Sequence, residues 1–360
     1  MNIFEKFKFL LKKPKVVIVT GNGRACAKEA IFQVLNQYFK IGKEILIFET
    51  APHHFGKNHY NPNKSKKFRN PFVEFLIKHS SLPVLVVTQI GDIPFAQDYF
   101  AGEKEEAKNV QKLAKLLPYF GYLILNFDDE TVREIADITN LKTFTFGFQE
   151  GTAFQATDIK LNSGTNFKVN YNGNVVPIWL EKLFGKEQIY SALAAAVVGT
   201  ILDLNLVEIS QALKNYQSLP GKMRLIEGIK HSWILDNSES ETIFSMIEAL
   251  EILGKLEGFK RKVAVLADIV RIGEYTIEAH ETVGERVARN ADSLFTFGPR
   301  AKFITQGAQE KGMAIDRIFE FDTIEQGKLK LQDEIKEGDL ILVDGSKEMK
   351  MREIVEEIKI

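Results

Sequence analysis

The chain is organised by a series of short, continuously apolar runs, each followed by a segment with helical periodicity. Five fall in the first half: KVVIVT (15–20), EILIFE (44–49), PVLVVTQI (83–90), YLILNFD (122–128) and KTFTFG (142–147). Four fall in the second: WILDN (233–237), KVAVLAD (262–268), SLFTFG (293–298) and DLILVDG (339–345). A strand exposed on one face alternates apolar and polar residues, whereas a strand covered on both faces has no need to. Continuous runs separated by helical segments therefore specify βαβ units and parallel sheets. Residues 153–180 depart from this. They alternate with period two around Asn172-Gly173 and read as antiparallel hairpins.

The expected class is α/β, with a mostly parallel first sheet carrying a small antiparallel patch and a second, Rossmann-like sheet. A length of 360 residues accommodates two domains or three. Pro220-Gly221 in SLPGK (218–222) marks a break, after which the βαβ pattern restarts. We expect a leader helix over 1–14, a central domain over 15–219 and a C-terminal domain over 220–360. The leader MNIFEKFKFLLKKPK sets Phe4, Phe7, Leu10 and Leu11 on one stripe with lysines between. It is expected to pack on the first domain, with contact to a membrane surface as the alternative.

A net charge of −1 provides no global field for nucleic acid. Cys26 is the single cysteine, which excludes an intrachain disulfide framework and a Cys-rich metal site. No apolar run approaches the ~18–20 residues that span a bilayer, and the N-terminus lacks the pattern of a secretion signal. A cytoplasmic location is the expectation.

The chemistry-bearing positions cluster at the carboxyl ends of the runs, where ligands bind in open parallel sheets. The first run enters Gly21-Asn22-Gly23 and then a helix, the layout of a phosphate-binding loop. A working loop ends in Gly-Lys-Ser/Thr, the lysine for phosphate and the hydroxyl for Mg²⁺. Arg24 and Ala25 stand there instead. The candidate phosphate-binding residues are Gly21, Asn22, Gly23 and Arg24; the alternative is a plain turn. Glu49, closing the second run, is a candidate metal ligand or a solvated edge residue. His53, His54 and His59 lie in a polar, basic loop (51–71) without a fourth zinc ligand. Asn126, Asp128 and Asp129 end the fourth run, either facing a nucleotide or capping the next helix. Asp236, Asn237 and Asp268 end successive runs of the second half.

Read together, these motifs resemble the Mur ligases. PGKMRLIEG (220–228) is similar to the Pro-Gly-Arg opening of that family's C-terminal domain, with Lys222 in the Arg place. LDNSESETIFSM keeps Asp236, Ser238, Ser245 and Met246 of a family motif, and VLADIVRIGEYTIEAH keeps Asp268, Gly273, Glu274 and His280. GDLILVDGSKEMKM resembles a Lys-Gly-Ser-Arg segment, with Asp344 in the Lys place. In the first half, TGNGRACAKEA resembles the family's phosphate loop, one residue short, and FETA puts Glu49 on its metal ligand. Pro94 replaces a metal-site histidine, and Glu187, Gln188 and Ser191 replace residues near the adenine. The carbamylated-lysine position falls near Val110, between Lys108 and Lys112.

The resemblance implies ATP, Mg²⁺ and amide-bond formation on a peptidoglycan precursor. It covers residues 15–360 and two of the family's three domains. It also makes Asn126, Asp129, Gln188, Lys222 and Asp236 candidate nucleotide-cleft residues, and Asp268, Ser346 and Lys347 candidate substrate-cleft residues. Three readings follow. The first is a degenerate Mur-ligase-like protein binding a nucleotide, a cell-wall precursor or a protein partner with little or no ligation. The second is a divergent ATP-dependent amide ligase. The third is an unrelated two-domain dinucleotide-dependent enzyme, disfavoured because no acidic residue follows a full G-x-G-x-x-G at about 20 residues.

Overall fold

The structure, a computed structural model, describes residues 3–51, 71–91, 100–137, 139–240, 242–270 and 272–360. The chain divides into two compact units. The first comprises Met1–Ile159, Asn166–Trp179 and Lys186–Gln217; the second comprises Lys160–Thr165, Leu180–Gly185 and Ser218–Ile360.

The first unit is built on strands β1 (Lys15–Thr20), β2 (Ile45–Thr50), β3 (Pro83–Val87), β4 (Tyr122–Asn126), β5 (Lys142–Gly147), β6 (Phe154–Leu161), β7 (Gly164–Tyr171) and β8 (Asn174–Glu181). They form one sheet in the order β2-β1-β3-β4-β5-β6-β7-β8. The pairings from β2 to β5 are parallel. Two-residue connections, Asn162-Ser163 and Asn172-Gly173, join β6 to β7 and β7 to β8, a length that only antiparallel neighbours permit. Asn172 and Gly173 both have positive φ, 47° and 77°, as the tight hairpin turn requires. The expected antiparallel patch thus extends the parallel sheet.

Helices α1 (Ile3–Lys12), α3 (Pro71–His79), α4 (Phe100–Ala114) and α5 (Glu130–Asp137) cover one face. Their Phe9, Leu76, Val110 and Val132 pack with Val16, Ile18, Leu85 and Leu123 of the strands. Helices α2 (Arg24–Leu35), α6 (Lys186–Ile201) and α7 (Leu206–Leu213) complete the unit. The alanine-rich run of α6 is buried from Gln188 to Gly199; its small side chains allow α2 to pack closely against it.

The leader helix packs on the first unit, but through Phe9 and not through its apolar stripe. Among the described side chains of α1 only Phe9 is buried, with its ring 5.5 Å from that of Phe75. Phe4, Phe7 and Leu11 are 76%, 61% and 71% exposed. The apolar stripe therefore points outward, and the opposite edge of the helix holds it to the domain.

The second unit holds β9 (Arg224–Gly228), β10 (Ser232–Asn237), β11 (Arg261–Ala267), β12 (Ser293–Phe297), β13 (Ile318–Phe321) and β14 (Asp339–Asp344), in the order β13-β12-β11-β14-β10-β9. All pairings are parallel except β9 with β10. Consecutive strand residues serve opposite cores. Ala264, Leu266, Leu340 and Leu342 pack with α8 (Ile243–Lys255), α9 (Thr276–Asn290) and α10 (Lys302–Glu310). Val263, Val265, Ile341 and Val343 pack with α11 (Ile324–Glu334) and α12 (Arg352–Ile358). That two-sided burial explains the continuous apolar runs.

Candidate functional site

The strand–turn–helix at the front of the first unit is formed as its sequence specifies. Gly21 has φ +102°, and a Cβ there would stand 2.5 Å from the Gln89 carbonyl oxygen, so only glycine fits. The Asn22 N–H donates to that carbonyl at 2.6 Å. Thr88 places its hydroxyl between the Thr20 and Asn22 carbonyls and donates its proton there, while Thr20 Oγ1 donates to Thr50 O at 2.8 Å. Gly23, φ +74°, precedes α2 and gives it no side-chain cap. The helix N-terminus thus retains its attraction for an anion.

The side chains around the turn are arranged against a polyphosphate. Arg24 curls back and donates from Nη1 to Gly21 O at 3.1 Å, so its guanidinium closes the loop's own carbonyl. Ala25 offers no hydroxyl. Glu187, on the first turn of α6, lies over Gly23: a Cβ on that glycine would be 3.2 Å from Glu187 Cγ and 3.7 Å from its Oε1. Oε1 is buried without a hydrogen-bond partner. A small depression remains, lined by Asn22, Gly23, Thr88, Gln89, Glu187, Tyr190 and Ser191.

The other first-unit candidates are largely committed to the fold. Glu49 pairs with Lys28 Nζ at 3.1 Å. Asp129 accepts from three backbone N–H groups: Ile90 at 2.7 Å and Gly91 at 3.0 Å on Oδ2, and Val132 at 2.9 Å on Oδ1. It caps α5 and clamps the segment after β3. Asp128 takes the Phe148 N–H at 2.7 Å and the Tyr190 hydroxyl at 2.9 Å. Asn126 is fully buried; its Oδ1 accepts from Asp128 N, and its Nδ2 has no hydrogen-bond partner. Gln188, expected near a nucleotide, is 1% exposed. Its Oε1 accepts from Tyr216, and its Nε2 lies 4.0 Å from Cys26 Sγ. One position along a helix turns a side chain by about 100°, which carries Gln188 into the packing against α2 while Glu187 faces the turn.

Val110 is in the core. Lys112 donates to Asn109 and Lys108 is exposed, so neither shares the buried position of Val110. The histidines at 53, 54 and 59 and Pro94 lie outside the described residues, as does the Glu274 side chain.

In the second unit, Asp236 and Asp268 are not neighbours, because β14 lies between β10 and β11 and brings in Asp344. Asp236 accepts from Gly221 N at 2.9 Å, from Ser238 Oγ at 2.7 Å and from Arg352 at 3.3 Å. Asp268 holds the Arg300 and Ala301 N–H groups at 3.0 and 2.6 Å and fixes the turn before α10; burial raises it above the ordinary carboxylate range. Both candidates therefore serve as backbone anchors. His280 is fully buried. Its Nε2 accepts from Ile269 N at 3.0 Å, its Nδ1 lies 2.6 Å from Thr276 O, and burial lowers its pKa below 6.5.

Asp344 is the most perturbed group. Complete burial pushes it up to about 7, against the opposing hydrogen bonds of Asn237 and Ser240 and the charge of Lys222. Asn237 Nδ2 donates to it at 2.7 Å. Lys222 Nζ donates to Glu239 O at 2.8 Å. Ser346 Oγ is buried without a partner, and Lys347 is exposed on the short turn that follows.

Mg·ATP does not fit the side chains of this turn. The guanidinium faces inward, the metal-binding hydroxyl is missing, Glu49 is ion-paired and a carboxylate sits over the anion position. Among the described residues no group of three or more His, Cys, Asp or Glu is placed to hold a metal ion.

The first unit is a glycine-turn α/β domain and the second a doubly wound one. The chain belongs to the Mur ligase family: residues 96–199 match the Mur ligase middle domain, and residues 223–347 match the Mur ligase, glutamate ligase domain. A UDP-N-acetylmuramoyl-tripeptide--D-alanyl-D-alanine ligase of Bacillus subtilis (strain 168) is 24% identical over 96% of this chain and 76% of its own length. The enzyme of the same name from Escherichia coli (strain K12) is 28% identical over 66% of this chain and 52% of its own. MurF from Acinetobacter baumannii superposes with a TM-score of 0.79 at 19% identity, covering 98% of this chain and 78% of that one. MurF ligase from Thermotoga maritima, solved in complex with ADP, superposes at 0.74 and 18% identity, covering 98% and 81%. These matches establish the family and the fold, and they overturn the dinucleotide-enzyme alternative. Among the described residues no helix is long and apolar enough to cross a membrane.

Proposed function

We propose that this chain is a Mur-ligase-family protein of the cytoplasmic peptidoglycan-precursor pathway whose nucleotide turn has lost its grip on Mg·ATP. It acts by binding a precursor, a nucleotide fragment or a protein partner, with little or no ligation. The observation that carries this reading is the glycine turn itself, with Arg24 bound to Gly21 O and Glu187 over Gly23. A lost transition-state contact to a transferring phosphoryl group typically costs ~3–4 kcal/mol, about 10²–10³ in rate. Here the lysine and the metal hydroxyl are both replaced, and a negative charge is added.

The second reading, a divergent ATP-dependent amide ligase, is favoured by the retained backbone cradle and the uncapped N-terminus of α2. Two measurements separate them. A ligand at 100 times its Kd stabilises a fold by ~2.7 kcal/mol, which a melting assay resolves. We expect no shift with sub-millimolar Mg·ATP and no addition of D-alanyl-D-alanine to UDP-N-acetylmuramoyl-tripeptide. Product formation by the unmodified chain would establish the second reading.

A further inference from the structure

We propose that α1 is an interfacial helix that docks this protein on an anionic phospholipid surface. The helix is fixed in orientation. Phe9 is buried against Phe75, and Lys6 Nζ lies 5.5 Å from the centroid of the same ring. At about 100° per residue, Phe4, Phe7 and Leu11 project from the side directly opposite Phe9. They are the outward-facing edge, each more than half exposed. Leu10, 39% exposed, widens the stripe on one flank.

The charges fit the same surface. Lys8 and Lys12 border the stripe on its other flank and Lys13 follows at the helix end; all three are exposed. None of them makes an ion pair among the described residues, whereas surface lysines elsewhere, such as Lys78, Lys260 and Lys330, are paired with carboxylates. An apolar edge bordered by exposed lysines matches a bilayer interface. The rings enter the acyl boundary while the lysine stems lie along it and place their ammonium groups among anionic headgroups. A protein groove of ordinary composition would instead call for carboxylate partners or hydrogen-bonding side chains along the stripe. A single short helix gives reversible association, so the protein would exchange between solution and membrane.

The test is co-flotation of the full chain with vesicles of phosphatidylcholine alone and of phosphatidylcholine mixed with phosphatidylglycerol. We expect binding only to the anionic vesicles and release at high salt. Changing Phe4, Phe7 and Leu11 together to Ser should abolish binding and leave the melting temperature unchanged, because Phe9 is retained. Each of Lys8→Gln and Lys12→Gln should lower the partition coefficient about fivefold. Failure of the unmodified chain to float overturns the proposal, as does equal binding by the triple-Ser variant. A dimer that dissociates in the triple-Ser variant, without vesicle binding by the unmodified chain, would instead assign the stripe to a second copy and also overturns it.

Discussion

Glu187 illustrates how one side chain can reverse the sign of a site. Its carboxylate lies over the turn where a nucleotide-binding loop would receive a phosphate. Two like charges about 4 Å apart repel by ~1 kcal/mol even in a water-like dielectric. Glu187→Gln is therefore expected to raise ATP affinity at least about fivefold in a calorimetric titration, with the larger gain at low salt. An unchanged affinity would move the obstacle to Arg24 and Ala25. At Asp344 the expected readout is pH-dependent stability. Its ordinary pKa of 3.8 is raised to about 7 in the fold. The native state therefore holds the proton more tightly, and the stability this contributes is complete below about 3.8 and lost as pH rises through about 7. Asp344→Asn should consequently gain on the parent protein between pH 5 and pH 8 in urea unfolding, by about 1–3 kcal/mol. His280 acts in the opposite sense. Its folded pKa is depressed below 6.5, so its contribution is present above that value and lost as pH falls below it. A titration of Asp344→Asn should then retain the acid-side loss contributed by His280.

Among elements, the central strands were legible because two-sided burial leaves an uninterrupted apolar run. The strands missed in the sequence are β9 (RLIEG) and β13 (IFEF), both at sheet edges. Their burial is partial and interrupted by Glu227 and Glu320, so neither produces a continuous run. The glycine turn was equally legible, since positive φ and close backbone approach leave no alternative to glycine. The roles of Asp129, Asp268 and Gln188 were not. A polar residue at a strand end or helix start has the same identity whether it faces a ligand or binds its own backbone, and only the path of the chain decides. Asp129 provides the test of that distinction. Removing its carboxylate deprives three backbone N–H groups of an acceptor. Asp129→Ala should cost about 2–4 kcal/mol in thermal or urea unfolding. Asp129→Asn, which keeps one oxygen acceptor, should cost less. A loss below about 0.5 kcal/mol would show that the carboxylate is not holding the loop.

Over the whole molecule, the chain path and the packing units do not coincide. Segments Lys160–Thr165 and Leu180–Gly185 precede the Pro220-Gly221 break, yet they pack with the unit formed by Ser218–Ile360. Phe184 is fully buried in the core of that second unit beside Met223 and Leu225. Phe184→Ala should therefore destabilise the second unit by about 3–5 kcal/mol. Its effect should appear in exchange protection of β9, β10 and α8 and leave β1, β3 and β4 unchanged. Equal loss in both units would mean that they unfold as one. The lone thiol adds a clock to this picture. Cys26 is fully buried in α2, next to Gln188 and two residues beyond Arg24. With no second cysteine in the 360 residues, a thiol reagent has one target and can reach it only when α2 separates from α6. The labelling rate thus times the opening of the packing behind the glycine turn. Any small molecule that settles in the turn would slow that clock, and so announce itself without an assay of turnover.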